Sequence, residues 1–232
     1  MENMTRENGK KRFEHLKGTM EVVLKLDNPN MDRILIALLH DIQEDLPEYA
    51  DVVRKVFGDY VAKGVDELSK KDWVKYLTEE EKQACMPLLN EKKMILHDAF
   101  NAMVSKHPDS AFTAVDKADE DELKRYMNSE QRMLYDMIET QIEPFMDLAK
   151  PRRNEDYFGD MDKLNDDYLT VKLADRIHNL GDMDGGVKRE KVIRKVKETE
   201  DYFLHVAQKR NKKAHDLLVE QIAILKEQWN IE

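Results

Sequence analysis

Apolar residues recur at steps of three and four along most of the chain, which is the pattern of amphipathic helices. Phe13, Leu16, Met20 and Val23 show it first and predict a helix over about 13–26. Strand-like alternation is hard to find, and Gly (8) and Pro (6) are scarce among 232 residues. The pattern therefore predicts an all-α protein.

Turn and capping signals divide the rest of the chain. Residues 27–30 form a turn by composition, and Gly58 is a plausible helix stop. A capping box over 78–81 opens a helix that we expect to be interrupted at Pro87. The remaining predicted helices cover about 31–46, 49–57, 60–68, 120–150 (bent near Pro144), 168–180 and two stretches between 188 and 229, with a polar connector at 151–156.

Length and local composition indicate one domain with an addition. A chain of this length can bury one sizeable core. The stretch from about 71 to 156 has a different character, with Met and Leu at helical spacing, and we interpret it as a helical insertion in a single domain of residues 1–232. We expect the insertion to shield a site or to make an oligomer contact.

Charge and cysteine usage narrow the function classes. The net charge of −10 disfavours binding to nucleic acid or to an anionic membrane, although a locally basic site could still hold a small anion. No apolar run is long enough to span a bilayer, and the polar first residues do not resemble a signal peptide. The single cysteine, Cys85, fits a reducing compartment, so we expect a cytoplasmic protein.

The candidate chemistry begins at a charged cluster beside an apolar run. His40, Asp41, Glu44 and Asp45 follow directly on residues 34–39. Residues four apart share a helix face, so His40 should lie above Glu44 and Asp41 above Asp45. Charged groups are rarely held beside a buried face unless they are paired or bind a metal.

A second apolar helix presents Asp175 and Asn179 one turn apart. Imidazoles and carboxylates from separate helices, without thiolates, suit Mn²⁺, Fe²⁺ or Zn²⁺. Such an ion can activate a water and polarise a phosphoryl oxygen. From the residues alone, a metal site and a buried ion-pair network are equally compatible with this pattern. A rival dipeptide, His97-Asp98, has no Glu-Asp pair after it.

The order of these residues resembles the metal-binding pattern of the HD-domain phosphohydrolases. His15, then Leu-Leu-His40-Asp41, then Asp175 within Lys-Leu-Ala-Asp-Arg-Ile-His-Asn is similar to the (p)ppGpp hydrolase domain of the RelA/SpoT family and to the small alarmone hydrolases. The following Glu44-Asp45 keeps the spacing of that family. The resemblance covers roughly residues 5–70 and 157–207, and it implies an HD-domain helical bundle.

The resemblance also implies roles for individual residues. The metal, expected to be Mn²⁺ with Fe²⁺, Zn²⁺ and Mg²⁺ as alternatives, would be held by His15, His40, Asp41 and Asp175. Glu44 and Asp45 would position and deprotonate the attacking water, and a guanine nucleotide would be contacted by Arg6, Asn8 and Asn179. The implied reaction is hydrolysis of the 3′-pyrophosphate of (p)ppGpp to GDP or GTP and pyrophosphate.

Departures from that pattern keep two other functions open. Glu7 and Gly181-Asp182 stand where the family has positive charge, and the spacing from Asp41 to Asp175 is about twice that of the family, which the insertion explains. An HD-fold enzyme could act instead on another nucleotide, as a nucleotide or NADPH phosphatase or a phosphodiesterase. A non-catalytic metal-binding regulatory protein is the third reading, and the intact Glu44-Asp45 pair weighs against it.

Overall fold

A computed structural model describes residues 11–26, 29–106, 120–183 and 186–231. Within these residues the secondary structure is helical and contains no strand, which confirms the all-α prediction. None of the helices in these ranges combines the length and apolar character that crossing a membrane requires. The α-helices are α1 Arg12–Leu26, α2 Met31–Leu39, α3 Ile42–Asp45, α4 Ala50–Leu68, α5 Glu79–Lys106, α6 Glu120–Leu123, α7 Ser129–Gly159, α8 Asp166–Gly181, α9 Arg189–Glu198, α10 Leu204–Arg210 and α11 Lys212–Trp229.

The chain divides into two compact units. One contains residues 1–70 and 156–232, and the other contains residues 71–155. Each unit has apolar clusters of its own. The interpretation of residues 71–156 as an insertion into a single domain stays a prediction.

Helix α8 lies at the centre of the first unit, where α1, α2, α4 and α11 pack against it. It begins at Asn165, whose side chain accepts a hydrogen bond from the Tyr168 amide at 2.9 Å. Leu169 and Leu173 are at most 2 % exposed, and burying each contributes about 1.5–3 kcal/mol. This packing fixes the backbone from which Asp175 projects.

Helices α5 and α7 contribute the main core of the second unit. The predicted capping box is confirmed, because the Thr78 hydroxyl accepts from the Glu81 amide at 3.2 Å and Glu81 accepts from the Thr78 amide at 2.7 Å. The expected interruption at Pro87 is wrong, since α5 continues through it. Pro87 removes the donor for the carbonyl of Gln83, and Gln83 is exposed, so water can take its place.

The predicted boundaries of the next long helix are also wrong. It begins at Ser129, because Asn128 and Gln131 cap each other reciprocally, with their amides and side-chain oxygens 2.8–3.0 Å apart. It runs through Pro144 and Pro151 to Gly159, so the expected connector at 151–156 is helical.

The predicted helix over 31–46 is broken where the candidate chemistry lies. Helix α2 ends at Leu39, and α3 starts at Ile42. The His40 ring, through Nδ1, bonds the Ala37 carbonyl at 2.8 Å, which is the acceptor that the Asp41 amide would use in a continuous helix. The expected stop at Gly58 takes the form of a kink within α4, with Gly58 at φ 85°.

Candidate metal centre

Three helices of the first unit bring imidazoles and carboxylates together. His15 lies on α1, His40 and Asp41 follow α2, and Asp175 lies on α8. Asp175 Oδ1 is 3.1 Å from His15 Nε2 and 3.5 Å from His40 Nε2. Ligand atoms of His15, His40 and Asp175 all lie within 4.8 Å of one another.

Asp41 lies close to the same two rings. Its Oδ1 is 3.2 Å from His40 Nε2, and its Oδ2 is 3.6 Å from His15 Nε2. The structure thus brings together all four residues for which the sequence predicts a shared metal; their role as ligands stays a prediction.

The donor set fits a divalent cation. His15 and His40 are each 4 % exposed, and His40 Nε2 makes no hydrogen bond despite the two nearby carboxylates. A buried polar atom without a partner is costly, and a cation between the rings and the carboxylates would satisfy it. Two imidazoles and two carboxylates suit a borderline or hard divalent ion that keeps open positions for water.

The pKa values of His40 and Asp175 also indicate that this cluster favours a positive charge. Burial lowers the pKa of His40, but the Asp41 and Asp175 carboxylates outweigh burial and raise this pKa from 6.5 to about 9. Burial would raise the pKa of Asp175, yet the imidazoles of His15 and His40, whose Nε2 atoms lie 3.1 and 3.5 Å from its Oδ1, hold that pKa well below its ordinary value. The Asp175 carboxylate therefore stays ionised and favours a proton or a metal ion between the rings.

Glu44 and Asn179 line the same pocket as the cluster. The Lys70 amide donates to Glu44 Oε1 at 2.7 Å, which holds the carboxylate in place. The Asn179 amide group donates to Asp175 Oδ1 at 2.6 Å, so Asn179 orients a candidate ligand as well as facing the pocket. Glu44 is therefore placed to exchange a proton with a molecule bound there.

Asp45 is not among the residues that line the pocket. Its Oδ1 forms an ion pair with the Arg12 guanidinium of α1, and its side chain is 9 % exposed. In a continuous helix Asp45 would lie below Asp41, but the helix is broken at His40 and Asp41. The structure thus separates Glu44 and Asp45, which the sequence treated as one pair.

Beyond the cluster, five basic side chains, here called the basic wall, line the pocket together with the acidic Asp182 and Glu190. The pocket has a volume of about 780 Å³, and Tyr157 lines it with its hydroxyl bonded to the Leu68 carbonyl at 2.8 Å. Most of the positive charge comes from α9 and the residue before it. The basic side chains are Lys70, Lys188, Lys191, Arg194 and Lys195.

This basic wall was missed in the sequence, although a signal was present. Lys188, Lys191 and Lys195 stand three and four residues apart, which is the spacing of one helix face, although Lys188 itself lies just before α9. The predicted nucleotide contacts Arg6 and Asn8 lie outside the described residues. The rival His97 and Asp98 are exposed on α5 and belong to neither of the candidate metal-binding clusters in the described part of the chain.

Comparison with known proteins gives one partial match. Over 95 residues the chain is 33 % identical to a guanosine-3′,5′-bis(diphosphate) 3′-pyrophosphohydrolase from Haemophilus influenzae, a match that covers 41 % of this chain and 13 % of that protein. No protein-family model matches the chain. No solved structure matches it at a significant level.

The match supports a related hydrolase domain in this chain. The structure adds an all-α fold and groups of His and Asp residues able to hold a metal ion. Assignment to the HD-domain phosphohydrolases stays a prediction.

Proposed function

We propose that this protein is a Mn²⁺-dependent phosphohydrolase that removes the 3′-pyrophosphate of (p)ppGpp. The observation that carries the proposal is the pocket in which His15, His40, Asp41 and Asp175 converge, and which Glu44 and the basic wall also line. The activity of the partial relative, a guanosine-3′,5′-bis(diphosphate) 3′-pyrophosphohydrolase, is the reason for choosing this substrate.

The four converging side chains would hold the metal ion. When bound, such an ion supplies Lewis-acid polarisation of a phosphoryl oxygen and lowers the pKa of a water. Asn179 keeps Asp175 oriented through its 2.6 Å hydrogen bond.

Glu44 would act as the general base. Water adds to the phosphorus that carries the ribose 3′-oxygen, and the bond between that phosphorus and the 3′-oxygen breaks. The proton lost by the water goes to Glu44, whose carboxylate is fixed by the Lys70 amide. The 3′-oxygen gains a proton, so the products are GDP or GTP and pyrophosphate.

The basic wall would offset the charge of the substrate. A (p)ppGpp molecule is a polyanion, and an acidic protein with net charge −10 repels it at long range. Lys191, Arg194 and Lys195 would place positive charge on the α9 side of the pocket. Their contribution would be greatest where negative charge accumulates on the phosphoryl oxygens.

A phosphohydrolase acting on another phosphorylated nucleotide is the second candidate. Asp182 favours it, since this carboxylate lines the pocket directly after α8 and would oppose one of the phosphates of (p)ppGpp. A nucleotide with fewer phosphates would suffer less from this charge.

A substrate panel separates these candidates. Purified protein with Mn²⁺ is offered ppGpp, pppGpp, NADPH and GTP, and the products are resolved by ion-exchange chromatography. We expect pyrophosphate from ppGpp, lost in Asp175→Asn and kept in Asp98→Asn, which alters the exposed rival dipeptide. Turnover of NADPH or GTP alone would establish the second candidate, and Mn²⁺ binding without any turnover would indicate a regulatory protein.

A further inference from the structure

The ring of His178 lies against the far side of His15. His15 Nε2 faces Asp175, while its other nitrogen, Nδ1, is 3.0 Å from Nδ1 of His178 on α8. The two ring centroids are 5.0 Å apart. The remaining nitrogen of a metal-binding histidine usually has a partner that fixes the ring, and for His40 that partner is the Ala37 carbonyl.

Proton placement defines the role of each ring. If His15 binds a cation through Nε2, its single proton sits on Nδ1, which then donates. His178 Nδ1 must accept this hydrogen bond, so His178 carries its own proton on Nε2. Asp182 Oδ2 is 3.8 Å from His178 Nδ1, which is longer than a hydrogen bond and longer than the 3.0 Å contact with His15.

Gly18 makes this contact sterically feasible. It lies one turn after His15 on α1, and a Cβ built at Gly18 would overlap Nε2 and Cδ2 of the His178 ring. Any larger residue would therefore displace His178 from His15. Glycine is otherwise unfavourable within a helix, so its presence here has a packing reason.

We propose that His178 is a positioning residue for the metal centre: it accepts the Nδ1 proton of His15 and so holds Nε2 toward the cation, in space that Gly18 provides. This inference rests on the metal site of the proposed function. It does not depend on the identity of the substrate.

The experiment measures Mn²⁺ binding by isothermal titration calorimetry, without nucleotide. Leu and Asn have nearly the same shape, but only Asn keeps an acceptor near the position of Nδ1. We expect His178→Leu to weaken Mn²⁺ binding about 10- to 100-fold. His178→Asn should restore most of the affinity. Gly18→Ala, which removes no polar group, should weaken binding as His178→Leu does.

The possible results are separable. The inference is overturned if His178→Leu and His178→Asn bind Mn²⁺ with equal affinity. It is also overturned if Gly18→Ala keeps full affinity. Circular dichroism shows whether each variant is folded. A second bound Mn²⁺ that disappears in Asp182→Asn would make His178 Nδ1 a ligand and also overturn it. If the unaltered protein binds no Mn²⁺, both the metal site and this inference fail. Binding without hydrolysis contradicts only the proposed function.

A spectroscopic readout tests the hydrogen bond itself. In Zn²⁺-loaded, ¹⁵N-histidine-labelled protein, long-range proton–nitrogen spectra report which ring nitrogen carries the proton. We expect the Nε2–H form for His178 and the Nδ1–H form for His15. A His178 ring protonated on Nδ1 would contradict the assignment.

Discussion

Individual side chains decide the chemistry of the pocket, and several of them could be identified from the sequence. His15, His40, Asp41 and Asp175 could be nominated because of motif spacing, and the structure brings them together. The contact of His178 with His15 was not predicted, because it depends on the close packing of α1 and α8 at Gly18. The ion pair of Asp45 with Arg12 was equally hidden, because it follows from a helix break.

Glu44 and Asp45 should differ sharply in kinetics. Glu44→Gln keeps the shape but removes the proton acceptor, so we expect kcat to fall about 10²- to 10⁴-fold with Mn²⁺ affinity retained. Asp45→Asn removes the partner of Arg12 and should mainly lower the free energy of unfolding. Steady-state kinetics and urea unfolding of both variants check this. A larger kcat loss in Asp45→Asn would reverse the assignment.

Lys172 should make stability depend on pH. Burial, with the charges of Lys70 and Arg176, lowers its pKa to about 7 from 10.5. The side chain still donates to the Tyr157 carbonyl at 2.7 Å. Between about pH 7 and 10.5 the unfolded chain holds a proton that the folded chain lacks, so this group raises stability as pH rises, by at most about 1.4 kcal/mol per pH unit.

Urea unfolding of the unaltered protein and of Lys172→Met at several pH values measures this dependence. As pH increases from 7 to 9.5, the free energy of unfolding of the unaltered protein should rise relative to that of Lys172→Met. A constant difference across this range would show that the pKa of Lys172 is not lowered.

At the scale of elements, periodicity predicted the helices but not their ends. Asn165 and Asn128 show why, because each begins a helix by accepting a hydrogen bond from the amide three residues on, which apolar spacing does not record. The break after α2 arises from one imidazole bonding one carbonyl, a competition that apolar spacing does not record. The basic face of α9 could be recognised from residue spacing. Its position at the pocket depends on how the helices pack and could not be recognised in that way.

Helix α9 offers a matched test of the basic wall. Arg194 lines the pocket, whereas Lys197 on the same helix is exposed and does not. We expect Arg194→Gln to raise the KM for ppGpp about 3- to 10-fold, with the effect shrinking at high salt. Lys197→Gln removes the same charge and should leave KM unchanged. Equal effects would mean that only the overall charge matters.

At the scale of the whole molecule, each unit has apolar residues that cluster within it, and the interpretation of residues 71–156 as an insertion into a single domain stays a prediction. In the first unit, the Tyr157 hydroxyl donates to the Leu68 carbonyl. The two points at which residues 71–155 leave and rejoin this unit are therefore close together. We expect that a protein in which a short Gly-Ser linker replaces residues 71–155 still unfolds cooperatively. Its Mn²⁺ affinity should stay within about twofold of that of the unaltered protein. Calorimetry checks both, and an unfolded product would contradict the separation.

The most direct test of the account locates the metal ion. Crystals grown with Mn²⁺ and measured near the manganese absorption edge give an anomalous difference map. We expect one strong peak bounded by His15 Nε2, His40 Nε2, Asp41 and Asp175. A Mn²⁺-bound crystal with its peak elsewhere, or with none at these four side chains, would contradict it.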